Sequence, residues 1–242
     1  MSSVRALQAV LIDLDGTLMD TAPDLALAAN RMRGDFGLPA LAVERIASFV
    51  GKGAEMLIHR ALTDDMTGRV DEAQMERGSE SFYRHYHAVN GDQAIVFDGV
   101  PVALGRLRAA GLRLACVTNK PREFTIPLLA RVGLAPWFEV VVAGDDVPAK
   151  KPAPDQLLAA CALLAVPPAA GLMIGDSAND WLAAQAAGMC SILVQTGYNE
   201  GQPVTALAGK PGLAAIVPQL TDAADRVDHL LHHDTVRALH RA

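Results

Sequence analysis

The chain has 242 residues, of which 51% are hydrophobic and 20% are charged, and its formal net charge is −6. This composition excludes a disordered or fibrous chain, and the acidic balance gives no electrostatic reason to bind DNA or RNA. No apolar run reaches the roughly 18 residues that a membrane span needs, and the first apolar stretch is too short for a signal peptide. Three scattered cysteines are typical of a reduced compartment. We therefore expect a cytoplasmic protein that binds neither nucleic acid nor membranes.

The first predicted element is a short apolar run, Ala9 to Ile12, which ends at Asp13. Such a run indicates a buried strand of a parallel sheet. The residues from about 20 to 95 contain no convincing strand, and their apolar side chains recur at helical spacing. Helices are predicted in this segment at 22–36, 41–49, 54–62 and 70–89. The segment is long enough for a small domain of its own.

The rest of the chain alternates between apolar runs and helical stretches. Strands are predicted at 112–117, 139–143, 171–174 and 190–194, and helices at 102–110, 123–132, 155–164 and 180–187. The tail, 229–242, is predicted to be a helix or a frayed end. This alternation predicts an α/β fold with a doubly wound, parallel-sheet, Rossmann-like core. We expect the core to consist of residues 1–19 and 96–242, and an all-helical insertion to occupy residues 20–95.

Polar residues follow the predicted strands at the positions where ligands bind in open parallel sheets, beyond the carboxyl ends. These residues are Asp13-Leu14-Asp15-Gly16-Thr17, Thr118-Asn119 and Gly175-Asp176-Ser177-Ala178-Asn179-Asp180, with Lys150-Lys151-Pro152 in a nearby loop. Up to four carboxylates would then meet in one crevice, and they would repel one another unless a cation held them together. Carboxylate oxygens favour Mg²⁺ over zinc. With Lys151 as a further cation, the arrangement favours phosphoryl transfer.

In this order, the four motifs resemble those of the haloacid dehalogenase-like (HAD) hydrolase superfamily, and the resemblance covers nearly the whole chain, including a helical cap inserted after the first motif. Three further segments look like those of bacterial phosphoglycolate phosphatases: Asp20 to Leu25, Val50 to Ala54 and Gly197 to Asn199. The resemblance implies a Mg²⁺-dependent phosphomonoesterase that forms an aspartyl phosphate. Its expected substrate is a small phosphorylated acid, 2-phosphoglycolate, which it would hydrolyse to glycolate and phosphate.

The resemblance also implies a role for each motif residue. Asp13 would attack phosphorus, Asp15 would move the proton as general acid and base, and Lys151 would bind the phosphoryl oxygens beside Asp13. The remaining phosphate-site residues of the motifs are Thr17, Thr118 and Asn119. We expect Thr17 to steady the turn, whereas Asn119 would bind phosphate or satisfy backbone groups. The implied metal ligands are Asp13, the backbone carbonyl of Asp15, Asp176 and, directly or through water, Asp180.

The loop Gly51-Lys52-Gly53 lies in the predicted insertion and places a cation between two glycines. Glycines let a backbone approach a small ligand closely, and a substrate carboxylate needs a cation or amide donors. We therefore expect Lys52, or the backbone amides beside it, to bind this carboxylate, and the alternative is an ordinary surface lysine.

Two other enzyme functions remain open at this stage: a related sugar-phosphate phosphatase and a phosphomutase, both of which use the same two aspartates. A phospho-accepting signalling module of a different class would need only about 120 residues and no helical insertion. The expected partner is a small phosphate ester, and the expected oligomeric state is a monomer or a homodimer.

Overall fold

The computed structural model of the chain describes residues 7–239, with side chains described through residue 232. The strands are β1 (Ala9–Ile12), β2 (Met19–Asp20), β3 (Ile95–Val96), β4 (Arg113–Val117), β5 (Val140–Val142), β6 (Gly171–Gly175), β7 (Cys190–Val194) and β8 (Leu213–Val217). The helices are α1 (Ala22–Asp35), α2 (Val43–Ala47), α3 (Ala54–Thr63), α4 (Glu72–Val89), α5 (Val100–Ala109), α6 (Arg122–Arg131), α7 (Asp155–Leu163), α8 (Ala178–Ala186) and α9 (Leu220–Leu239).

Six strands form one parallel sheet in the order β5-β4-β1-β6-β7-β8. The first strand therefore lies inside the sheet, where it pairs with β4 on one side and β6 on the other. The register sets Ile12 beside both Cys116 and Ile174. Because of this register, the segments that leave the carboxyl ends of β1, β4 and β6 start at nearly the same level.

Successive residues of β1 pack on opposite faces of the sheet, as the pleat of a strand requires. Val10 and Ile12 belong to a buried cluster with residues of α5 and α9, whereas Ala9 and Leu11 belong to a second cluster with residues of α7 and α8. Helices thus cover both faces of the sheet, which is the expected doubly wound α/β arrangement.

Helices α1 to α4 lie between β2 and β3 and have a hydrophobic cluster of their own, which includes Met32, Phe49, Ile58 and Phe82. Strands β2 and β3 pair antiparallel where the chain enters and leaves this segment. We call residues 20–95 the cap segment. The sequence predicts no strand in the cap segment, whereas the structure places one residue of β2 and one of β3 within it. Each of these strands has only two residues, too few to produce a visible alternation of apolar side chains.

The carboxylate of Asp24 secures the return of the chain from the cap segment to the core. This buried side chain accepts hydrogen bonds from the backbone amides of Gly91, Gln93 and Ala94 at 2.8–3.1 Å. Three amides on one carboxylate fix the loop before β3 against the first turn of α1, so both connections of the cap segment are held together.

The C-terminal part of the sheet differs from the prediction. The sequence analysis missed β8, whose five residues are only partly buried and include two alanines, and it started the last helix at residue 229 instead of Leu220. Residues 240–242 of the predicted tail lie outside the described part. An edge strand with small side chains carries a weak apolar signal, because it buries little surface. Between residues 7 and 239, no helix combines the length and apolar character needed to cross a membrane.

Candidate active site

The turn after β1 presents the two aspartates of the first motif. The amide of Asp13 still bonds to the carbonyl of Ile174, so this residue continues the central strand. Its Oδ1 accepts a hydrogen bond from the Leu14 amide at 2.8 Å. Gly16 closes the turn at φ +85°, and a Cβ atom there would lie 2.8 Å from Oδ2 of Asp176. Glycine is therefore required both by the backbone conformation and by the close approach of the Asp176 carboxylate.

A buried lysine binds the carboxylates of two motifs. Nζ of Lys151 lies 2.9 Å from Oδ1 of Asp13 and 2.7 Å from Oδ1 of Asp180, and it donates to the carbonyl of Val117 at 2.8 Å. Burial by itself would lower the pKa of Lys151, but the two carboxylates outweigh it and raise this pKa above its ordinary value. The ammonium group therefore stays charged beside the predicted nucleophile.

Asp180 uses its second oxygen to cap α8. Its Oδ2 accepts from the amide of Ser177 at 3.1 Å and from Oγ of Ser177 at 2.8 Å, while Oδ1 binds Lys151. A Cβ atom on Gly175 would lie only 2.2 Å from Cγ of Asp180, so the end of β6 must be glycine for the carboxylate to fit. Asp180 therefore fixes the position of the Lys151 ammonium group and caps the first turn of α8.

Three carboxylates form a cluster that fits a divalent cation. One oxygen each from Asp13, Asp176 and Asp180 can be chosen so that all three lie within 4.8 Å of one another. Burial and the charge of Asp180 raise the pKa of Asp176 to about 7. Burial also raises the pKa of Asp13 well above its ordinary value, and Lys151 offsets only part of this effect. Crowded, buried oxygen donors with too little positive charge around them suit a hard divalent metal ion.

Asp15 contacts two residues that the sequence analysis did not identify. Its Oδ1 accepts from Oγ1 of Thr21 at 2.5 Å and from Nζ of Lys120 at 2.9 Å. The Lys120 side chain is buried, and although burial opposes its charge, Asp15 raises the pKa of Lys120 above its ordinary value. Lys120 directly follows Asn119 at the end of β4, and this strand-end position was a usable sequence signal. Thr21 carries no comparable signal, because its approach depends on how α1 begins.

The other predicted phosphate-site residues have different contacts. Thr118 is buried and lines the cavity described below. Oγ1 of Thr17 lies 3.4 Å from Oδ1 of Asp176, a long hydrogen bond between the first and last motifs. Nδ2 of Asn119 donates to the carbonyls of Gly51 and Lys151, both at 2.8 Å. Asn119 therefore satisfies backbone groups, one of the two roles expected for it, and connects the cap segment to the core.

Gln156 is a further buried residue that the sequence analysis missed. Its Oε1 accepts from the amide of Lys151 at 2.9 Å, and its Nε2 donates to the carbonyls of Thr118 and Ala143 at 2.6 and 3.1 Å. This side chain fixes the backbone on which Thr118 and Lys151 stand. A glutamine in the first turn of a helix has no distinctive sequence signal.

The loop after β7 connects the carboxylate cluster to the start of the cap segment. The amide of Tyr198 donates to Oδ2 of Asp176 at 2.9 Å. The hydroxyl of Tyr198 donates to Oδ1 of Asp20 at 2.6 Å and accepts from the amides of Thr21 and Ala22 at 2.9 and 3.0 Å. The Tyr198 side chain thus contacts the residues at the start of α1, where the chain passes from the core into the cap segment.

Lys52 does not lie where the sequence analysis expected it. Its Nζ lies 3.3 Å from Oε2 of Glu200, a core residue, and its side chain is 40% exposed. Arg60, on α3, approaches the other oxygen of the same carboxylate at 2.6 Å. Gly51 and Gly53 line the cavity, whereas Lys52 does not. This placement favours a role in holding the cap segment against the core, and it does not support the predicted contact with a substrate carboxylate.

Asp13 and Asp15 open into a cavity between the sheet edge and the cap segment, whereas Lys151 lies behind Asp13 and is not part of the lining. The cavity holds about 620 Å³ of space between atoms, part of it open to solvent. Polar residues of the motifs, including Asp13, Asp15, Thr118 and Asp176, line the core side. The apolar part of the lining comes mostly from the cap segment, with one residue from α6, and consists of Leu25, Val50, Ala54, Leu57, Phe82, Tyr86 and Phe124. The cavity can therefore take a small ligand with one highly charged end.

Comparisons with known proteins agree with this arrangement. Residues 7–188 match the family model of the haloacid dehalogenase-like hydrolases. The chain is 47% identical over 225 residues to a phosphoglycolate phosphatase of Cupriavidus necator, with 92% of each chain covered. It is 44% identical over 218 residues to the phosphoglycolate phosphatase of Thiobacillus denitrificans, covering 90% of this chain and 94% of the relative.

A solved structure has the same architecture. The crystal structure of a predicted phosphoglycolate phosphatase from Haemophilus somnus superposes with a TM-score of 0.82 at 29% identity, covering 92% of this chain and 99% of the other. The matched range spans all four motifs and the whole of α8, which are the segments that build the site described above. The chain belongs to the haloacid dehalogenase-like hydrolases.

Proposed function

We propose that this protein hydrolyses 2-phosphoglycolate to glycolate and phosphate, through a phosphate bound covalently to Asp13 and with Mg²⁺ in the carboxylate cluster. The observation that carries this proposal is the meeting of Asp13 and Asp15 in one cavity, with Nζ of Lys151 2.9 Å from the Asp13 carboxylate. Hydrolysis of a phosphate monoester is the activity that the names of these relatives state, and it agrees with the hydrolase family. The choice of 2-phosphoglycolate follows the names of relatives that are 44–47% identical over nine tenths of the chain.

In the first half of the reaction, an oxygen of Asp13 forms a bond to phosphorus while the ester P–O bond breaks. The Leu14 amide and Lys151 hold the Asp13 carboxylate in a fixed orientation, so little reorganisation is needed. Asp15 gives its proton to the leaving oxygen, which departs as the alcohol of glycolate. Lys151 and the hydroxyl of Thr118 would stabilise the negative charge of the transferring phosphoryl group.

In the second half, water attacks phosphorus and Asp15 takes up the proton that this water loses. The bond between phosphorus and Asp13 then breaks, which releases phosphate and restores both carboxyl groups. Splitting the hydrolysis in this way replaces one difficult displacement by two easier ones. Asp15 can serve both halves because Gly16 turns it toward the same cavity as Asp13.

The residues that would hold Mg²⁺ are Asp13, Asp176 and the backbone carbonyl of Asp15, with Asp180 in support. When bound, the ion would neutralise charge on the phosphate and on the carboxylates around it. The choice of Mg²⁺ follows from the donor set, since carboxylate and carbonyl oxygens are the ligands this ion prefers.

A turnover screen tests the proposal. The purified protein would be incubated with 2-phosphoglycolate, several sugar phosphates and para-nitrophenyl phosphate, with and without Mg²⁺, and released phosphate would be measured. We expect the highest kcat/KM for 2-phosphoglycolate and no turnover in excess chelator. A higher kcat/KM for a sugar phosphate would overturn the assignment of 2-phosphoglycolate as the substrate. Transfer of the phosphoryl group to another substrate hydroxyl would indicate a mutase. Full activity in chelator would overturn the assignment of Mg²⁺.

A further inference from the structure

The cavity has a charged group at an unexpected place in its wall. Among the described residues that line it, Lys120 is the only lysine or arginine. Its side chain is 4% exposed, and Nζ lies 2.9 Å from Oδ1 of Asp15. An ammonium group has three N–H donors; Asp15 accepts from one of them, and the nearby Tyr86 hydroxyl is the other side chain that helps to raise the pKa of Lys120. The group can therefore bind a second anion beside Asp15.

Tyr86 supplies a hydroxyl next to this cation. Its ring centroid lies 4.9 Å from Nζ of Lys120, and the residue, on α4, is 2% exposed and lines the same cavity. Within residues 7–232, no atom meets strict hydrogen-bond geometry with the buried Tyr86 hydroxyl, but its oxygen lies close enough to the Lys120 ammonium to contribute to the raised pKa of Lys120. An ammonium group can donate to this oxygen but cannot accept from it, so the hydroxyl hydrogen has no acceptor among the described residues and can be donated to a ligand atom.

The cavity lining around Lys120 and the Tyr86 hydroxyl is mostly apolar. The ring centroids of Phe82 and Phe124 lie 5.5 and 4.7 Å from that of Tyr86, and both residues line the cavity together with Leu57. A carboxylate placed there would lose hydration without compensation, except beside Lys120 and the Tyr86 hydroxyl. Lys52, the cation predicted for this task, is paired with Glu200 outside the cavity.

The short length of the proposed substrate also places its carboxylate close to Lys120. In 2-phosphoglycolate a single CH₂ group separates the ester oxygen from the carboxylate carbon, so carboxylate oxygens lie within about 3–4 Å of the ester oxygen. Asp15 must reach that ester oxygen to protonate it. The carboxylate of a substrate this short must therefore lie close to Asp15, and Lys120 is the cation that contacts Asp15.

We propose that the Lys120 ammonium and the Tyr86 hydroxyl bind the carboxylate of the substrate and so select a short phosphorylated acid over a phosphate ester without a carboxylate. This inference rests on the proposed function and adds the two residues that would determine its specificity.

The test compares 2-phosphoglycolate with ethyl phosphate, which has the same two carbon atoms and no carboxylate. The quantity measured is the ratio of the two kcat/KM values. We expect Tyr86→Phe to lower this ratio about tenfold, the effect of one hydrogen bond to a charged group. Tyr83→Phe is the matched control, because Tyr83 lies on the same helix, packs edge-on against Phe124 at 5.4 Å and is not in this cavity. The ratio for Tyr83→Phe should stay within about twofold of the wild-type ratio.

Lys52→Ala tests the competing carboxylate site. If the ratio falls tenfold in Lys52→Ala and not in Tyr86→Phe, the proposal is overturned in favour of the loop lysine. An unchanged ratio in Tyr86→Phe, or a wild-type protein with no preference for 2-phosphoglycolate, also overturns it.

Binding to Asp13→Asn separates this proposal from the proposed function. In that background, calorimetry would measure 2-phosphoglycolate affinity with and without Tyr86→Phe, and we expect about tenfold weaker binding with it. If wild type releases no phosphate from any ester, the proposed function fails, whereas a loss of affinity on Tyr86→Phe would still support the carboxylate site. Equal affinities would overturn the carboxylate site alone.

Discussion

Two donors hold the same oxygen of Asp13, the Leu14 amide at 2.8 Å and Nζ of Lys151 at 2.9 Å. Both are fixed by the sheet, because Leu14 follows β1 and Lys151 also bonds to the last residue of β4. The reactivity of this carboxylate therefore depends on backbone geometry as well as on its own chemistry. Changes at single residues of this group should affect catalysis much more than stability.

Asp13→Asn should reduce turnover by several powers of ten, because an amide cannot attack phosphorus. The change keeps the side-chain volume, so the thermal unfolding midpoint should remain close to that of the wild type. Asp98→Asn, at an exposed position, is the control. Phosphate release and the unfolding midpoint would be measured for both, and a tenth of wild-type activity in Asp13→Asn would contradict the covalent step.

Mg²⁺ should raise the thermal midpoint of the metal-free protein, because a ligand that binds only the folded state stabilises it. The cluster of Asp13, Asp176 and Asp180 supplies the physical reason, since a cation relieves the repulsion among three buried carboxylates. Asp176→Asn should remove most of this Mg²⁺-dependent shift. Scanning calorimetry with and without Mg²⁺ measures it, and an equal shift in the variant would place the ion elsewhere.

At the scale of elements, the site is a set of close approaches between the ends of β1 and β6 and the loop after β7. A Cβ atom on Gly197 would lie 1.9 Å from Oδ2 of Asp176, and one on Gly16 would lie 2.8 Å from the same atom. Two glycines therefore allow three chain segments to surround one carboxylate. Side chains at either position would displace it from the cluster.

Gly16→Ala should lower the free energy of unfolding by more than the left-handed backbone conformation alone accounts for. Gly111 is a matched control, because its φ of +81° is similar to the +85° of Gly16 but a Cβ atom there would meet nothing within 4 Å. We expect Gly111→Ala to lower the free energy of unfolding by about 1–2 kcal/mol. Gly16→Ala should lower it further and should also lower kcat. Equal losses, measured by urea denaturation and turnover, would show that the contact with Asp176 is unimportant.

At the scale of the whole molecule, the loop after β7 joins the core to the cap segment at two places. Tyr198 contacts the start of α1, and Glu200 pairs with Arg60 and Lys52 of the cap segment. Glu200 itself has a left-handed φ of 50°, an unfavourable conformation for a residue other than glycine. The two ion pairs with the cap segment help to hold the loop in this conformation.

Glu200→Gln should loosen the cap segment, because it removes a charge opposite the buried guanidinium of Arg60. We expect the free energy of unfolding to fall by about 2 kcal/mol and amide exchange in α3 to become faster. Glu139→Gln is the control, since Glu139 pairs with Arg113 at 2.7 Å in an exposed position. Its effect should be below about 1 kcal/mol. Unchanged exchange in α3 would contradict a role for Glu200 in holding the cap segment.

The sequence by itself determined the class of fold and the residues at the ends of the central strands. Short apolar runs that end in Asp13, Thr118 and Asp176 specify buried parallel strands with polar ends, and such ends must meet at one edge of the sheet. These signals are local, so they can be read without knowing the neighbours. The edge strand β8 was missed for the same reason, since its alanines bury too little surface to give a local pattern.

Only the tertiary structure decided which side chains pair within the site. The position of Lys120 after a strand end is visible in the sequence, but the partners of Lys52 and Lys120 are not: Lys52 pairs with Glu200 outside the cavity, and Lys120 is buried against Asp15. The difference depends on how the cap segment packs on the core, which is set by contacts between residues far apart in the chain. Tyr86 is similar, because its helical spacing indicates only a buried position. Its place beside Lys120 follows from the packing of α4 over the carboxyl edge of the sheet.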